Sequence, residues 1–404
     1  MGRLWGSTIV TPLLALPALC MAAPDDIGNS PFWVEFRPRY NHIEESDRPE
    51  VTRGGTFRLL AGWRSAPWRG LRFTAEAIVA NHWGPKEFND DAALFATSPY
   101  PLLPDPRHAG VNRAHVDWAG VEDFHVRLGR QVLEIDNRRW VSANDFRQVP
   151  QLFDGVTATW TGLPGAELMA GHYARIRSTS GDVEHARLSV VHAAWNPRPD
   201  HVIAAYGYFH DQPVTANFTG FADNSYRVLG ARAEGTVANF GELGASYLLE
   251  AARQGPHAGG DSRISARYWR AGLGIGARDW TLRYDHEVRG SNDGQYGLQI
   301  PLTDLYTYNG WTLHWFTLPR QGLRDQWATA RWAFGRITLY AEAHRFRSDF
   351  GALDFGRETD ASITWEIRPN AVLRLQHARY DPGPGRPADP EIRKTWLTLT
   401  YTWP

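Results

Sequence analysis

From about residue 32 onward, apolar and polar residues alternate with a period of two, segment after segment. Leu71, Phe73, Ala75, Ala77 and Val79 alternate with Arg72, Thr74 and Glu76. Phe124, Val126 and Leu128 alternate with His125, Arg127 and Gly129. Ala361, Ile363, Trp365 and Ile367 alternate with Ser362, Thr364 and Glu366. A strand puts successive side chains on opposite faces, so this period predicts β-structure with two unlike faces. No apolar run after residue 24 approaches the ~20 residues of a spanning helix.

Two architectures satisfy such alternation: a sandwich with an apolar core, or a barrel with its apolar face in lipid and its polar face on a lumen. The connections separate them. Short turns are expected at residues 65–69, 119–123, 162–165, 196–200, 238–239, 277–278, 335 and 369–370. Long polar connections fall between them, at about 41–54, 81–109, 133–152, 211–223, 289–323 and 381–391. Strict exchange of short turns and long loops is the pattern of an outer-membrane barrel, with the short turns in the periplasm. Strands are expected near 32–40, 55–64, 70–80, 110–119, 123–132, 153–161, 165–175, 184–196, 201–210, 224–236, 240–251, 263–276, 279–288, 324–334, 336–346, 358–368, 371–380 and 392–403. The fold class is therefore all-β, a transmembrane antiparallel barrel of about 18 strands with both ends periplasmic. Closure is obligatory, because an open edge has no partner in lipid. The 18 Trp and 38 Gly suit such a barrel with aromatic girdles.

The start of the chain reads as a targeting segment. Arg3 is followed by small and apolar residues from Ser7 to Leu19, then Met21-Ala22-Ala23 and the polar Pro24-Asp25-Asp26. A signal peptide over 1–23 and a barrel over 24–404 are expected, with Cys20 inside the removed part. A lipid anchor at Cys20 is disfavoured by the large Leu19 before it. The mature chain then has no cysteine and no disulfide.

The formal net charge is −1, which implies no nucleic-acid partner. Only Lys86 and Lys394 are lysines among 43 basic residues. An arginine-rich pore and a GC-rich genome both explain that bias. Position has to decide, because guanidinium is a planar fork suited to carboxylates and phosphates.

The segment Leu128–Trp140 (Leu-Gly-Arg-Gln-Val-Leu-Glu-Ile-Asp-Asn-Arg-Arg-Trp) and its continuation Asp145–Val156 (Asp-Phe-Arg-Gln-Val-Pro-Gln-Leu-Phe-Asp-Gly-Val) resemble the alginate-export porin family of Gram-negative bacteria. A second stretch, Tyr308–Trp311 through Pro319–Asp325, is similar to a family loop ending in Gly-Leu-x-Asp. The resemblance implies an 18-stranded outer-membrane barrel and an arginine-lined pore for an anionic polysaccharide such as alginate. Small anions, outer-membrane lipid and periplasmic export partners are the other expected partners, for a monomer without cofactors. The final strand, with Leu397, Leu399, Tyr401 and Trp403 on one face, resembles the recognition signal for barrel assembly, although Pro404 departs from the common ending.

A polyanion crosses a pore best past several weak cationic sites in series. By alternation the lumen-facing candidates are Arg58, Arg72, Arg113, Arg127, Arg187, Arg283, Arg331 and Arg374. The motif adds Arg130, Arg138, Arg139 and Arg147 near the extracellular side. Asp136 with Arg138, Arg147 with Asp154, and the neighbouring Gln148 are expected to brace an inward-folded loop. Acids share the lumen face (Glu76, Asp117, Asp285, Glu287, Glu342, Glu366), so cross-strand pairing that stiffens the wall is the competing role for every arginine. His115, His125, His286 and His344 are expected on the lumen face. No His-x-x-x-His, Gly-x-Ser-x-Gly or phosphate-loop motif occurs, so neither a metal nor an enzyme is expected. A porin for small carboxylates or sugars remains the alternative function.

Overall fold

The computed structural model describes residues 31–91, 97–184, 186–213 and 219–403. The expected signal peptide lies outside them. In chain order the strands are β1 (Phe32–Glu45), β2 (Thr52–Arg64), β3 (Leu71–Glu87), β4 (His108–Val121), β5 (Phe124–Gln131), β6 (Leu152–Trp160), β7 (Ala166–Arg177), β8 (Val183–Glu184), β9 (Arg187–Arg198), β10 (His201–Asp211), β11 (Tyr226–Phe240), β12 (Leu243–Pro256), β13 (Ala266–Gly276), β14 (Trp280–Arg289), β15 (Leu323–Phe334), β16 (Ile337–Arg347), β17 (Asp354–Arg368), β18 (Ala371–Pro382) and β19 (Ile392–Trp403). Each pairs antiparallel with its sequence neighbour, and β1 closes on β19. The two-residue β8 is a flap on β7, which also pairs directly with β9. The ring therefore has 18 staves.

All eighteen expected strands are present. The short turn expected at 238–239 falls at 241–242, between β11 and β12, and the largest departures lie at the long-loop end. There β1 reaches Glu45 and β2 begins at Thr52, so the expected loop 41–54 shrinks to a short turn. Likewise β3 runs on to Glu87. These extensions carry polar residues on both faces (Asn81 and His82 in β3), as expected of strands that rise out of the lipid into water.

Side-chain burial is inverted relative to a soluble protein. Phe36, Leu59, Phe73, Leu128, Leu229, Leu249, Leu273, Trp332 and Trp365 stand exposed on the outer face. Arg58, Arg113, Glu76, Arg270, Asp285, Glu287 and Glu358 are buried inside. The first set matches lipid, and the second is solvated by its own partners.

The lumen is filled by inward loops. Residues 132–151, between β5 and β6, and 290–322, between β14 and β15, contain some of the most buried positions of the molecule, including Ser142, Gln148, Val149, Leu298 and Thr312. Part of the filling is apolar: Leu133, Ile135, Trp140, Leu298 and Ile300 pack on Leu188, Val190, Tyr206, Tyr208 and Tyr268 of the wall. At Gly310 (φ 83°) a Cβ would lie 2.3 Å from the Glu358 carboxyl carbon, so glycine is required where the second loop presses on the wall.

Candidate functional site

The loop 132–151 crosses the barrel and is fixed at both ends. On the far wall, Asp136 accepts both arms of Arg232 from β11. Glu250 of β12 accepts from Asn137 Nδ2 and Trp140 Nε1 (both 2.9 Å) and from Tyr206 Oη (2.6 Å). Arg139, wholly buried, gives Nη2 to Glu287 of β14 (2.6 Å) and to Asn309 of the second loop (2.9 Å). Arg138 lies 3.2 Å from Asp304 and 3.8 Å from Glu134.

At its other end the loop meets β1 and β2. Arg37 donates to Gln148 Oε1 (3.2 Å) and to the carbonyls of Asp145 (2.7 Å) and Arg147 (2.5 Å). Arg39 donates to the Phe146 carbonyl (2.7 Å) and its guanidinium lies 4.1 Å from the Phe146 ring centre. Gln148 returns bonds to the Arg37 carbonyl and Thr56 Oγ1. Arg58 bridges Glu35 and Asp145, both at 2.6 Å. Asp105, from the connection after β3, receives Arg39 (3.5 Å), Arg147 (3.3 Å) and the Gln148 amide (3.0 Å). Burial alone would push the Asp105 carboxyl up, but Arg39, Arg147 and that amide outweigh it and hold it below its ordinary value. Asp145 behaves likewise, its burial outweighed by Arg58 and Arg37.

A cavity of about 60 Å³ opens here, lined by Glu35, Arg37, Arg39, Asp145, Arg374 and Thr398 among others. Five guanidinium groups (Arg37, Arg39, Arg58, Arg147, Arg374) thus gather around three carboxylates (Glu35, Asp105, Asp145).

Of the expected residues, Arg58, Arg147, Arg374 and Gln148 come together around this cavity. The others are distributed along the wall. Arg113 is held by Glu76 (2.8 Å), Arg127 by Asp117 (2.7 Å), Arg130 by Asp154 (2.7 Å) and Arg283 by Asp285 (2.6 Å). Arg331 faces the lumen with a buried Nε that has no hydrogen-bond partner, and Arg72 is exposed toward the periplasmic end.

Three expectations are corrected. Arg187 lies on the outer face, paired with Asp211 at 2.6 Å, because Leu188 and Val190 point inward to pack under the loop. His286 also faces outward, edge-on to Trp269. The loop's charges pair differently from the expected couples. Asp136 and Arg138 both have positive φ (55° and 63°) and diverge, and Asp154 takes Arg130 rather than Arg147.

The sequence reading missed Arg37 and Arg39. Their signal was present, since Glu35, Arg37 and Arg39 alternate with Phe36, Pro38 and Tyr40.

Residues 65–293, more than half the chain, match the alginate export family. The chain belongs to the alginate-export family. The first motif pair lies inside the matched region and the Tyr308–Asp325 stretch lies beyond it. Among solved structures, the chain is similar to three porins of Pseudomonas aeruginosa. OpdL is 15% identical with a TM-score of 0.68, covering 93% of this chain and 99% of that one. OpdG (OccK9) is 15% identical with a TM-score of 0.70, covering 92% and 98%. OpdK, crystallised with vanillate, is 14% identical with a TM-score of 0.68, covering 92% and 98%. At such identity the likeness establishes the fold. Comparison with curated proteins gives no match. The protein is an outer-membrane barrel channel of a Gram-negative bacterium, in a family and fold of channels rather than enzymes.

Proposed function

We propose that this channel passes small carboxylate-bearing solutes, uronate-type sugar acids among them, and that Arg37, Arg39 and Arg374 meet them at the constriction. The observation that carries the reading is the excess of guanidinium over carboxylate around one cavity beside the inward loop. Fixed cations lower the cost of stripping water from an anion, and neighbouring acids keep the binding weak enough for release. Arg331 and Arg72 extend the cationic path toward the periplasm, with Arg283 beside Arg331 in a looser role because Asp285 holds it. Arg127, Arg130, Arg138 and Arg113 are wall and loop braces in this reading.

The cavity has room for only a few waters. A small anion passes by shifting side chains, whereas a polysaccharide requires the whole 132–151 loop to leave the lumen. That favours small anions over a polymer. The vanillate bound to OpdK is itself a small carboxylate. The reading includes removal of residues 1–23 and a monomeric barrel that needs no export partner to conduct.

Current block by solutes tests it. Galacturonate should interrupt the open-channel current of the wild type, and Arg374→Gln should weaken that block about tenfold. Neutral galactose should block far less. Equal block by galacturonate and galactose refutes the proposal, and block only by long uronate oligomers favours the polymer.

A further inference from the structure

A second cluster lies on β15, β16 and β17, the last of which pairs with β18, the strand that carries Arg374. The register sets Glu342 opposite Asp360 and His344 opposite Glu358, all facing inward. Asp325 of β15 completes the group. Four carboxylates therefore surround one imidazole, and all five residues are at most 5% exposed. Among the described residues, no Arg or Lys lies within ion-pair distance of Asp325, Glu342, Glu358 or Asp360. His344 lies within that distance of Asp325, Glu342 and Asp360. The neighbouring cations are engaged elsewhere: Arg270 pairs with Asp285, and Lys394 donates to the Thr312 carbonyl.

Three atoms in this group are buried without a hydrogen-bond partner: Glu342 Oε1, His344 Nε2 and Asp360 Oδ1. These three residues offer ligand atoms that lie within 4.8 Å of one another. Each side chain is held at its other end. His344 Nδ1 contacts both Asp325 oxygens at 3.0 Å. Glu342 Oε2 accepts from Tyr340 Oη (2.6 Å), and Asp360 Oδ2 from the Trp311 amide (3.4 Å). The imidazole is stacked between Trp327 and Phe346. Glu358 accepts from the Thr312 amide and hydroxyl and also lies against the Asp360 carboxyl.

We propose that Glu342, His344 and Asp360 bind one divalent transition cation of the zinc class, with Asp325 as the positioning residue behind His344. Buried charges persist when they are paired or coordinate a metal. A proton on Nδ1, shared with Asp325, leaves the Nε2 lone pair directed into the cluster, the usual carboxylate–histidine–metal arrangement. Zinc bonds of about 2.0–2.2 Å place tetrahedral donors roughly 3.3–3.6 Å apart. His344 Nε2 is 3.3 Å from Glu342 Oε1, and the ligand atoms of all three residues lie within 4.8 Å of one another, so side-chain rotations bring them to that spacing. One imidazole with two carboxylates suits zinc, manganese or iron(II) better than calcium, which takes six to eight oxygens.

The cation would tie the second inward loop to the wall. Trp311 bonds to Asp360 and stacks on Tyr340, and Thr312 bonds to Glu358 beside it. Sequence inspection passes over such a site because its ligands are split over two strands, Glu342-x-His344 on β16 and Asp360 on β17, rather than recurring on one helix.

Cobalt(II) binding to the full, chelator-stripped barrel in detergent is the test. The proposal expects one Co²⁺ per chain, visible d–d bands, and displacement by one equivalent of Zn²⁺. His344→Ala should abolish the bands, and Asp325→Asn should weaken binding about 10–100-fold. Heat-modified electrophoretic mobility establishes that each variant is a closed barrel. Wild-type protein that takes up no Co²⁺, or gives bands unchanged in Glu342→Gln and Asp360→Asn, overturns the proposal. Failure of the wild type alone means that the carboxylates share protons instead.

Discussion

Arg139 offers the sharpest test of how the lumen is held. Its side chain is fully buried and joins three elements: its own loop, Glu287 on β14, and Asn309 and Thr303 on the second loop. Replacing it by Met leaves Glu287 buried with only Tyr268 Oη and Asn309 Nδ2 as donors. Removing one partner of a buried pair costs about 3–5 kcal/mol. At about 1.4 kcal/mol per factor of ten, the docked-to-undocked ratio of the loop falls roughly 10²–10³-fold or more. The barrel wall keeps its ladder and should still close. Single-channel recording should show a larger, noisier conductance, and trypsin should cut after Arg138 or Arg147 in folded protein. The double variant Arg139→Met/Glu287→Gln should recover much of the loss, because no uncompensated charge remains. If Arg139→Met alone matches wild type in both conductance and protease protection, the account of a loop pinned by buried pairs is wrong.

Glu134 is pushed up to about 7, first by burial and then by nearby Asp304, against the pull of Arg138 and the Ala143 amide. A raised carboxyl favours the docked loop fully below about pH 4.5. That contribution is lost as pH rises to about 7, so loop noise should increase between pH 5 and 7.5 and the increase should vanish in Glu134→Gln. Arg331→Ala should reduce anion preference without lowering thermal stability, measured by the reversal potential and a melting curve; a large loss of stability would show that it braces the wall. Leu249→Arg, on the lipid face at mid-strand, should cost about 2–4 kcal/mol in refolding into bilayers, and a neutral result would contradict the orientation of β12.

The strands were legible because lipid and lumen impose opposite chemistries on a strict period of two. Turn lengths were legible because the periplasmic side tolerates only short links. The lumen was legible only where it is polar. Leu188 and Val190 are apolar yet face inward, because Trp140 and Ile135 pack there, and that inversion misplaced Arg187. The partners of the loop were hidden for another reason. Arg139 and Glu287, or Arg37 and Gln148, meet only once the barrel has closed, and separations of more than a hundred residues leave no local pattern. The cluster around His344 was half visible: Glu342 and His344 were both read as lumen-facing, but the register that sets Asp360 against Glu342 was not.

The reversal potential of the purified channel in a tenfold KCl gradient tests the central claim most directly. Five guanidinium groups against three carboxylates at the constriction predict a sign that favours chloride, and Arg37→Gln/Arg374→Gln should move it toward zero. A potassium-favouring potential in the wild type, or one indifferent to both substitutions, would contradict the account.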